Sequence, residues 1–120
     1  MHYTFKQSQD HLRAELFGRQ TVEDTLTFID ALITEAARLS ATRFLVWVRT
    51  SRPIFKVERL SASFRQLASS EVRVALLADS EEVRASHQYI EVLAGQQGAQ
   101  VRAFRDEPGA LAWLRAQSQE

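Results

Sequence analysis

The sequence predicts an α/β fold in the element order ββαβαβαβα, and three observations support this prediction. Short apolar stretches typical of strands alternate with segments whose apolar residues recur about every 3.6 positions, as they do on one face of a helix. Strands that alternate with helices pair in parallel through right-handed crossovers, whereas two opening strands separated by a short turn form a hairpin. The length of 120 residues suits one core. We therefore predict a single domain over residues 1–120 with a mostly parallel sheet and an N-terminal hairpin.

The first half of the chain supplies the hairpin, one helix and the central strand. Residues 3–7 and 12–17 are the predicted hairpin strands, and the second of them alternates apolar and charged residues, which is typical of a half-buried strand. Thr21 caps the first predicted helix. Residues 44–48 are apolar at every position, which predicts a strand in the interior of the sheet with both of its faces covered.

The second half of the chain repeats the strand–helix unit. Its predicted elements are a helix with the apolar stripe Val57, Leu60, Phe64 and Leu67, a strand over 72–78, a helix capped by Ser80 and ended by Gly98, a strand over 101–104, and a helix capped by Asp106 with Pro108 in its first turn. His87 lies on the apolar stripe of the helix after Ser80. We interpret it as a partly buried, hydrogen-bonded core histidine rather than a catalytic one.

The composition and the missing motifs exclude several function classes. The chain has no cysteine, which excludes thiolate catalysis and Cys-based zinc sites. It contains no glycine-rich phosphate loop, no nucleophile elbow and no His pair with metal-binding spacing. The net charge of zero disfavours nucleic acid and anionic membranes, and no apolar run suits a signal peptide or a membrane span. We expect a cytoplasmic, non-enzymatic protein without metal or cofactor and without membrane insertion.

A basic junction follows the predicted central strand. Between residues 43 and 65, six basic side chains stand against Glu58 alone, although the whole chain has no net charge. Ligand crevices of parallel sheets form beyond the carboxyl ends of the strands, where helix N–H groups add positive potential. The predicted site for an anion or an acidic partner consists of Arg49, Thr50, Ser51, Arg52, Lys56 and Arg59. A solvated surface whose long side chains cover apolar groups explains the same charges, and this alternative stays open.

Four segments carry a family resemblance: "LFGRQTVED", "RFLVWVRT", "RVALLADSEEVR" and "GAQVRAFRDEPGALAWLRAQ". Together with the element order, they resemble STAS domains, the fold of anti-sigma-factor antagonists and of the cytoplasmic domains of sulfate transporters. The chain is most similar to the small stand-alone SpoIIAA-like bacterial proteins. The resemblance implies a regulatory domain with a protein partner. Phosphoregulated members have a D-S-S-G-type turn after the central strand, and "VRTSRPIFK" stands there in this chain. The resemblance therefore does not extend to a kinase partner.

Two function classes remain. The first is an interaction module that docks an acidic protein partner or a small anion at the basic junction. The second is a carrier of a small apolar ligand or lipid with a pocket near Trp47, Ile54 and Phe55, because some proteins of related architecture are thought to bind apolar ligands. Plain core packing also explains these three side chains. An apolar cavity beneath residues 47–55 would favour the carrier and a closed core the module, and a homodimer stays open.

Overall fold

The computed structural model describes residues 1–53, 56–69 and 71–116, which form five strands and four α-helices around one sheet. The elements are β1 (His2–Gln7), β2 (Leu12–Phe17), α1 (Val22–Leu39), β3 (Arg43–Arg49), α2 (Ser61–Gln66), β4 (Arg73–Ala78), α3 (Glu81–Gln96), β5 (Gln100–Ala103) and α4 (Glu107–Arg115). A 3-10 turn over Val57–Leu60 precedes α2. The predicted α/β class is confirmed.

The strands lie in the sheet in the order β1-β2-β3-β4-β5. β1 pairs with β2 antiparallel, and the three other neighbouring pairs are parallel, so the sheet is mixed. The hairpin lies at one side and β3 in the middle, where Val46 stands opposite Ala14 on β2 and Leu76 on β4. This position confirms the prediction made from the apolar run, because a strand that is apolar on both faces must be covered on both.

The two faces of the sheet are covered unequally. Parallel strands that follow one another in a single direction through right-handed crossovers place all of their connecting helices on one face. We call this the front face; its core includes residues of α1, α2 and α3, among them Phe28, Leu32, Phe64, Val83 and Ile90. The opposite face is the α4 face, and its much smaller buried core is Leu45, Ala75, Leu77, Ala110 and Leu114.

Side-chain caps fix where three of the helices begin. Thr21, Ser80 and Asp106 each accept a hydrogen bond from the backbone N–H three residues further on, at 3.1, 3.2 and 2.8 Å. These bonds satisfy N–H groups that the first turn of a helix leaves free. Gly98 follows α3 with a φ of 82°, in the left-handed region that glycine enters without steric penalty. All four residues have the roles predicted from the sequence.

The segment after β3 differs from the prediction of one continuous helix. The apolar stripe is divided between the 3-10 turn Val57–Leu60 and the six-residue α2, and residues 54 and 55 lie outside the described part of the chain. Lys56 and Leu60 occupy the two N-cap positions, and neither supplies a side-chain cap hydrogen bond. Without a capping oxygen these two short segments depend on tertiary packing, which explains why a spacing pattern alone did not define them.

Candidate functional site

The turns that follow β2 and β3 are joined to each other by hydrogen bonds. The backbone N–H of Arg52 donates to the carbonyl of Arg19 at 2.9 Å. The Ser51 hydroxyl accepts from the backbone N–H of Arg19 at 3.1 Å and donates to the carbonyl of Arg49 at 2.9 Å. Gly18 adds an N–H bond to the same Arg49 carbonyl at 3.3 Å. The hydroxyl of Ser51 therefore helps to hold the two turns together at the carboxyl edge of the sheet.

Thr50 and Asp79 connect the same edge to β4. Thr50 has a φ of 49°, which is a left-handed conformation that disfavours residues other than glycine. Its backbone N–H donates to Oδ2 of Asp79 at 3.0 Å, and the N–H of Asp79 donates to the carbonyl of Val48 at 3.4 Å. The Asp79 carboxylate thus stabilises the strained turn and also reduces the positive potential next to it.

Arg49 and Arg59 point away from each other. Strand side chains alternate between faces, so Arg49 lies on the α4 face, where its Nε is 3.4 Å from a carboxylate oxygen of Glu15 and its guanidinium lies 4.2 Å from the centre of the Trp47 ring. Arg59 lies on the helix side, where its Nη1 is 2.6 Å from a carboxylate oxygen of Glu23 at the start of α1. Two of the predicted cations are therefore neutralised separately and do not share an anion.

Arg52 and Lys56 are the predicted cations that stay available. Both are exposed, and neither forms an ion pair with any residue that the structure describes. Arg52 is held in the joined turn through its backbone N–H and its carbonyl. Lys56 has a φ of 62° directly before the 3-10 turn. Of the six predicted residues, Thr50, Ser51 and Arg52 share one ordered turn, with Lys56 close behind in sequence.

Arg19 is a residue of this edge that the sequence interpretation missed. Its side chain is only 3% exposed, and its Nη2 donates to the carbonyl of Arg52 at 2.6 Å. Burial lowers the pKa of Arg19 to about 10, partly offset by the charge of Asp24. The sequence does contain a signal for Arg19. This residue follows Gly18 at the carboxyl end of a strand beside the central one, where ligands of parallel sheets bind.

His87 is more deeply buried than the sequence indicated. The side chain on α3 is 1% exposed, and its Nδ1 has no hydrogen-bond partner among the described residues. Burial, together with the positive charges of Arg19 and Arg84, lowers the pKa of His87 to about 3. The ring is therefore neutral near pH 7. The interpretation of His87 as a partly buried, hydrogen-bonded residue is wrong at Nδ1.

A cavity of about 60 Å³ lies inside the front core, between the sheet and the helices α1 to α3. Its lining is mainly apolar and includes Ile29 and Val46, whereas Arg19, Thr25 and His87 contribute the polar side chains. The buried guanidinium of Arg19 and the buried imidazole of His87 therefore line the same space.

Trp47 belongs to the other side of the sheet. It packs beside the small core of the α4 face, and its Nε1 donates to Oε1 of Glu107 at 3.1 Å. The cavity is lined instead by the neighbouring residues Val46 and Val48, whose side chains point to the front. Ile54 and Phe55, the other two residues of the predicted pocket, lie outside the described part of the chain.

No protein-family model matches the chain, and no curated protein is significantly similar to it. Within residues 1–53, 56–69 and 71–116, no cluster of three or more His, Asp or Glu side chains is arranged to hold a metal ion. None of the helices in that part of the chain combines the length and the apolar character that a membrane span requires. The proposed function therefore rests on the fold and on the geometry of the carboxyl edge of the sheet.

Proposed function

We propose that the protein is a non-enzymatic interaction domain of the STAS-like, SpoIIAA-like type, which docks an acidic protein partner or a small anion at the exposed cations Arg52 and Lys56. One observation carries this proposal: both side chains are exposed and unpaired within the described residues, and Arg52 lies on a turn that hydrogen bonds to Arg19 already hold. A turn that is ordered in the free protein loses less entropy when a partner binds.

The docking site in this proposal is smaller than the one predicted from the sequence. Arg49 and Arg59 have their own carboxylates in Glu15 and Glu23, so they add little net charge to the turn. An exposed pair of cations attracts an anion weakly, and salt screens that attraction over about 10 Å at moderate ionic strength. The proposed binding is therefore weak for a single sulfate or phosphate and stronger for a peptide with several acidic residues.

The test is a titration with sulfate and with an acidic peptide, followed by backbone NMR shifts. We expect shifts centred on residues 50–53 and 56–59 that decrease as sodium chloride is added. The double variant Arg52→Gln, Lys56→Gln should remove these shifts and leave the melting temperature nearly unchanged, because exposed charges contribute little to stability.

A matched control separates a specific site from general charge. Lys6→Gln, Arg105→Gln removes the same two charges at exposed positions outside the turn and should leave the shifts intact. Equal responses of the two double variants, or no shifts at residues 50–59 in the wild type, would show that the basic junction is only a solvated surface.

The cavity in the front core favours a second candidate function, the binding of a small apolar ligand. A cavity of about 60 Å³ is well below the ~150 Å³ that holds a benzene molecule, so it suits a short alkyl group and not a complete lipid chain. The cavity is separate from the proposed docking site. It lies beneath the front face, whereas Arg52 and Lys56 lie on the surface.

A further inference from the structure

We infer that the cavity is a binding site for a short-chain monocarboxylate, with the carboxylate at Arg19 and His87 and the alkyl group among the apolar side chains of the front core. The inference rests on the second candidate function, since it requires that the cavity binds a ligand, and it names the chemical class of that ligand. The cavity is a separate site from the exposed cations Arg52 and Lys56, although Arg19 also donates to the carbonyl of Arg52.

The first observation is the buried guanidinium of Arg19. Charged side chains that lose their contact with water are normally paired with an opposite charge. Within the described residues, no carboxylate lies at ion-pair distance from Arg19, and its side-chain hydrogen bond runs from Nη2 to the carbonyl of Arg52. The charge of Asp24 acts on Arg19 only from beyond that distance. A guanidinium has five N–H donors in a planar fork that matches a carboxylate. A ligand carboxylate therefore supplies the direct partner that this part of the chain lacks.

The second observation is the unpartnered Nδ1 of His87 in the lining of the same cavity. A buried ring nitrogen without a hydrogen bond destabilises the fold, by roughly 1–3 kcal/mol in typical cases. A neutral imidazole has one nitrogen that donates and one that accepts, so it can donate a hydrogen bond to a carboxylate oxygen in one of its tautomers. His87 and Arg19 thus present a neutral donor and a cationic donor to one small space, which favours an anion over a cation.

The third observation is the size and the apolar character of the remaining lining. Ile29, Val46 and Leu76 are among the side chains that face the cavity, from α1, β3 and β4. Scaled against the ~150 Å³ cavity that holds the six carbons of benzene, about 60 Å³ accommodates about two to three carbons. The carboxylate takes part of this space as well, so the best ligand is acetate. Butyrate, which has as many non-hydrogen atoms as benzene, is too large.

The experiment is a set of NMR titrations of the whole chain with probes that differ in one property at a time. Acetate should shift the methyl signals of Val46 and Ile29 and the ring signals of His87. Acetamide has the same shape without the charge, and we expect at least tenfold weaker binding, because a buried charge pair is lost. Butyrate should bind more weakly than acetate, since its chain exceeds the cavity. Equal binding of acetate and acetamide, or no acetate shifts in the front core, would overturn the inference.

Two variants test the assignment of the two ends of the ligand. Arg19→Gln should abolish the preference for acetate over acetamide. Because this change at a buried position can also impair folding, Val48→Ile provides the second test: it adds one methylene to the cavity lining, keeps Arg19, and should weaken acetate binding about fivefold or more. Val83→Ile is the matched control, since Val83 is equally buried but lies outside the cavity lining. Unchanged acetate binding in Val48→Ile would contradict the inference.

The two proposed sites fail or succeed separately. Sulfate shifts at residues 50–59 report on the docking site, whereas acetate shifts at Val46 and His87 report on the cavity. The control variant Lys6→Gln, Arg105→Gln should leave both sets of shifts intact. Acetate shifts confined to the surface near Arg52 and Lys56 would count as anion binding there and would refute the cavity site.

Discussion

The two faces of the sheet provide different partners for their basic side chains. On the α4 face, Arg13 lies 2.6 Å from a carboxylate oxygen of Glu107, and Arg49 lies 3.4 Å from Glu15. Two more arginines on that face donate to carbonyls at the end of α4, Arg43 to Leu114 at 3.0 Å and Arg73 to Trp113 at 2.7 Å. Basic groups are favoured at a helix carboxyl terminus.

The front face buries Arg19 and His87 without a carboxylate at ion-pair distance from either among the described residues. Electrostatic interactions are stronger in a buried environment than in water, so an unpaired group there destabilises the fold more than an unpaired group at the surface. Each face contains buried polar atoms without a hydrogen-bond partner in the described residues, among them Nη1 of Arg43 on the α4 face and Nδ1 of His87 on the front face. The faces differ because His87 and Arg19 line a cavity. The following predictions test this difference between the faces.

The largest effect is expected for a charge placed in the front core. Val46→Asp should prevent folding, because the new carboxylate lies in the middle of the sheet, 2% exposed in the wild type, without a partner. Trp47→Gln, one residue further and on the α4 face, should leave a folded protein that is less stable by roughly 1–3 kcal/mol, since this side chain is half-buried. Circular dichroism and thermal melts measure both. A Val46→Asp variant that is soluble and melts cooperatively would disprove the central position of β3.

The next effect is a pH dependence of stability caused by His87. The pKa of His87 in the folded protein, about 3, lies below the ordinary value of 6.5. At pH values below 6.5 the unfolded chain therefore binds more protons than the folded chain. The contribution to stability is complete above pH 6.5 and decreases as the pH falls, by at most about 1.4 kcal/mol per pH unit. Urea unfolding at about pH 7 and about pH 5.5 should show a loss of about 1 kcal/mol from this group.

The matched variant for this prediction is His87→Gln, which has no group that titrates in this range. It should lose stability overall, but the difference between its two unfolding free energies should be smaller than in the wild type by about 1 kcal/mol. If the unfolding free energies of the wild type and the variant depend on pH to the same extent, His87 is not a buried neutral group of the front face.

The smallest effect is expected from the ion pairs at two helix starts. Glu107 and Glu23 lie in the first turns of their helices, and each is 2.6 Å from an arginine nitrogen. Glu107 also accepts a hydrogen bond from Trp47, and this bond together with Arg13 holds the pKa of Glu107 below its usual range. Glu107→Gln should destabilise the protein by about 1 kcal/mol, after allowance for solvent screening. Glu23→Gln, at a fully solvated pair, should have a smaller effect that disappears at high salt. Equal losses would show that the α4 face gains nothing from Trp47.

Much of the fold was predictable because its signals are local. The caps Thr21, Ser80 and Asp106 act on N–H groups three residues away, and the run 44–48 is apolar at every position, so each signal lies within a few residues. The two short segments over 57–66 were less predictable because they have no caps. The STAS-like resemblance of the four quoted segments stays a prediction.

The candidate site was predictable in place but not in its contacts. The sequence located the basic junction at the carboxyl edge of the sheet, where Thr50, Ser51 and Arg52 do form one turn. It did not indicate that Arg49 and Arg59 separate to opposite faces, because this depends on which face receives α1 and which receives α4. The carboxylates that neutralise them come from β2 and α1, more than thirty residues away in the chain.

The sequence by itself determined the element order, the three capped helix starts, the central strand and the edge at which charge accumulates, because each depends on neighbours within one turn or one strand. Only the tertiary structure decided that Arg19 and His87 meet at one cavity. These residues come from the turn after β2 and from α3, and the cavity walls come from α1, α2 and four strands besides. A cavity is the space that side chains from distant segments leave between them, and its volume follows from their packing and not from the spacing of residues along the chain.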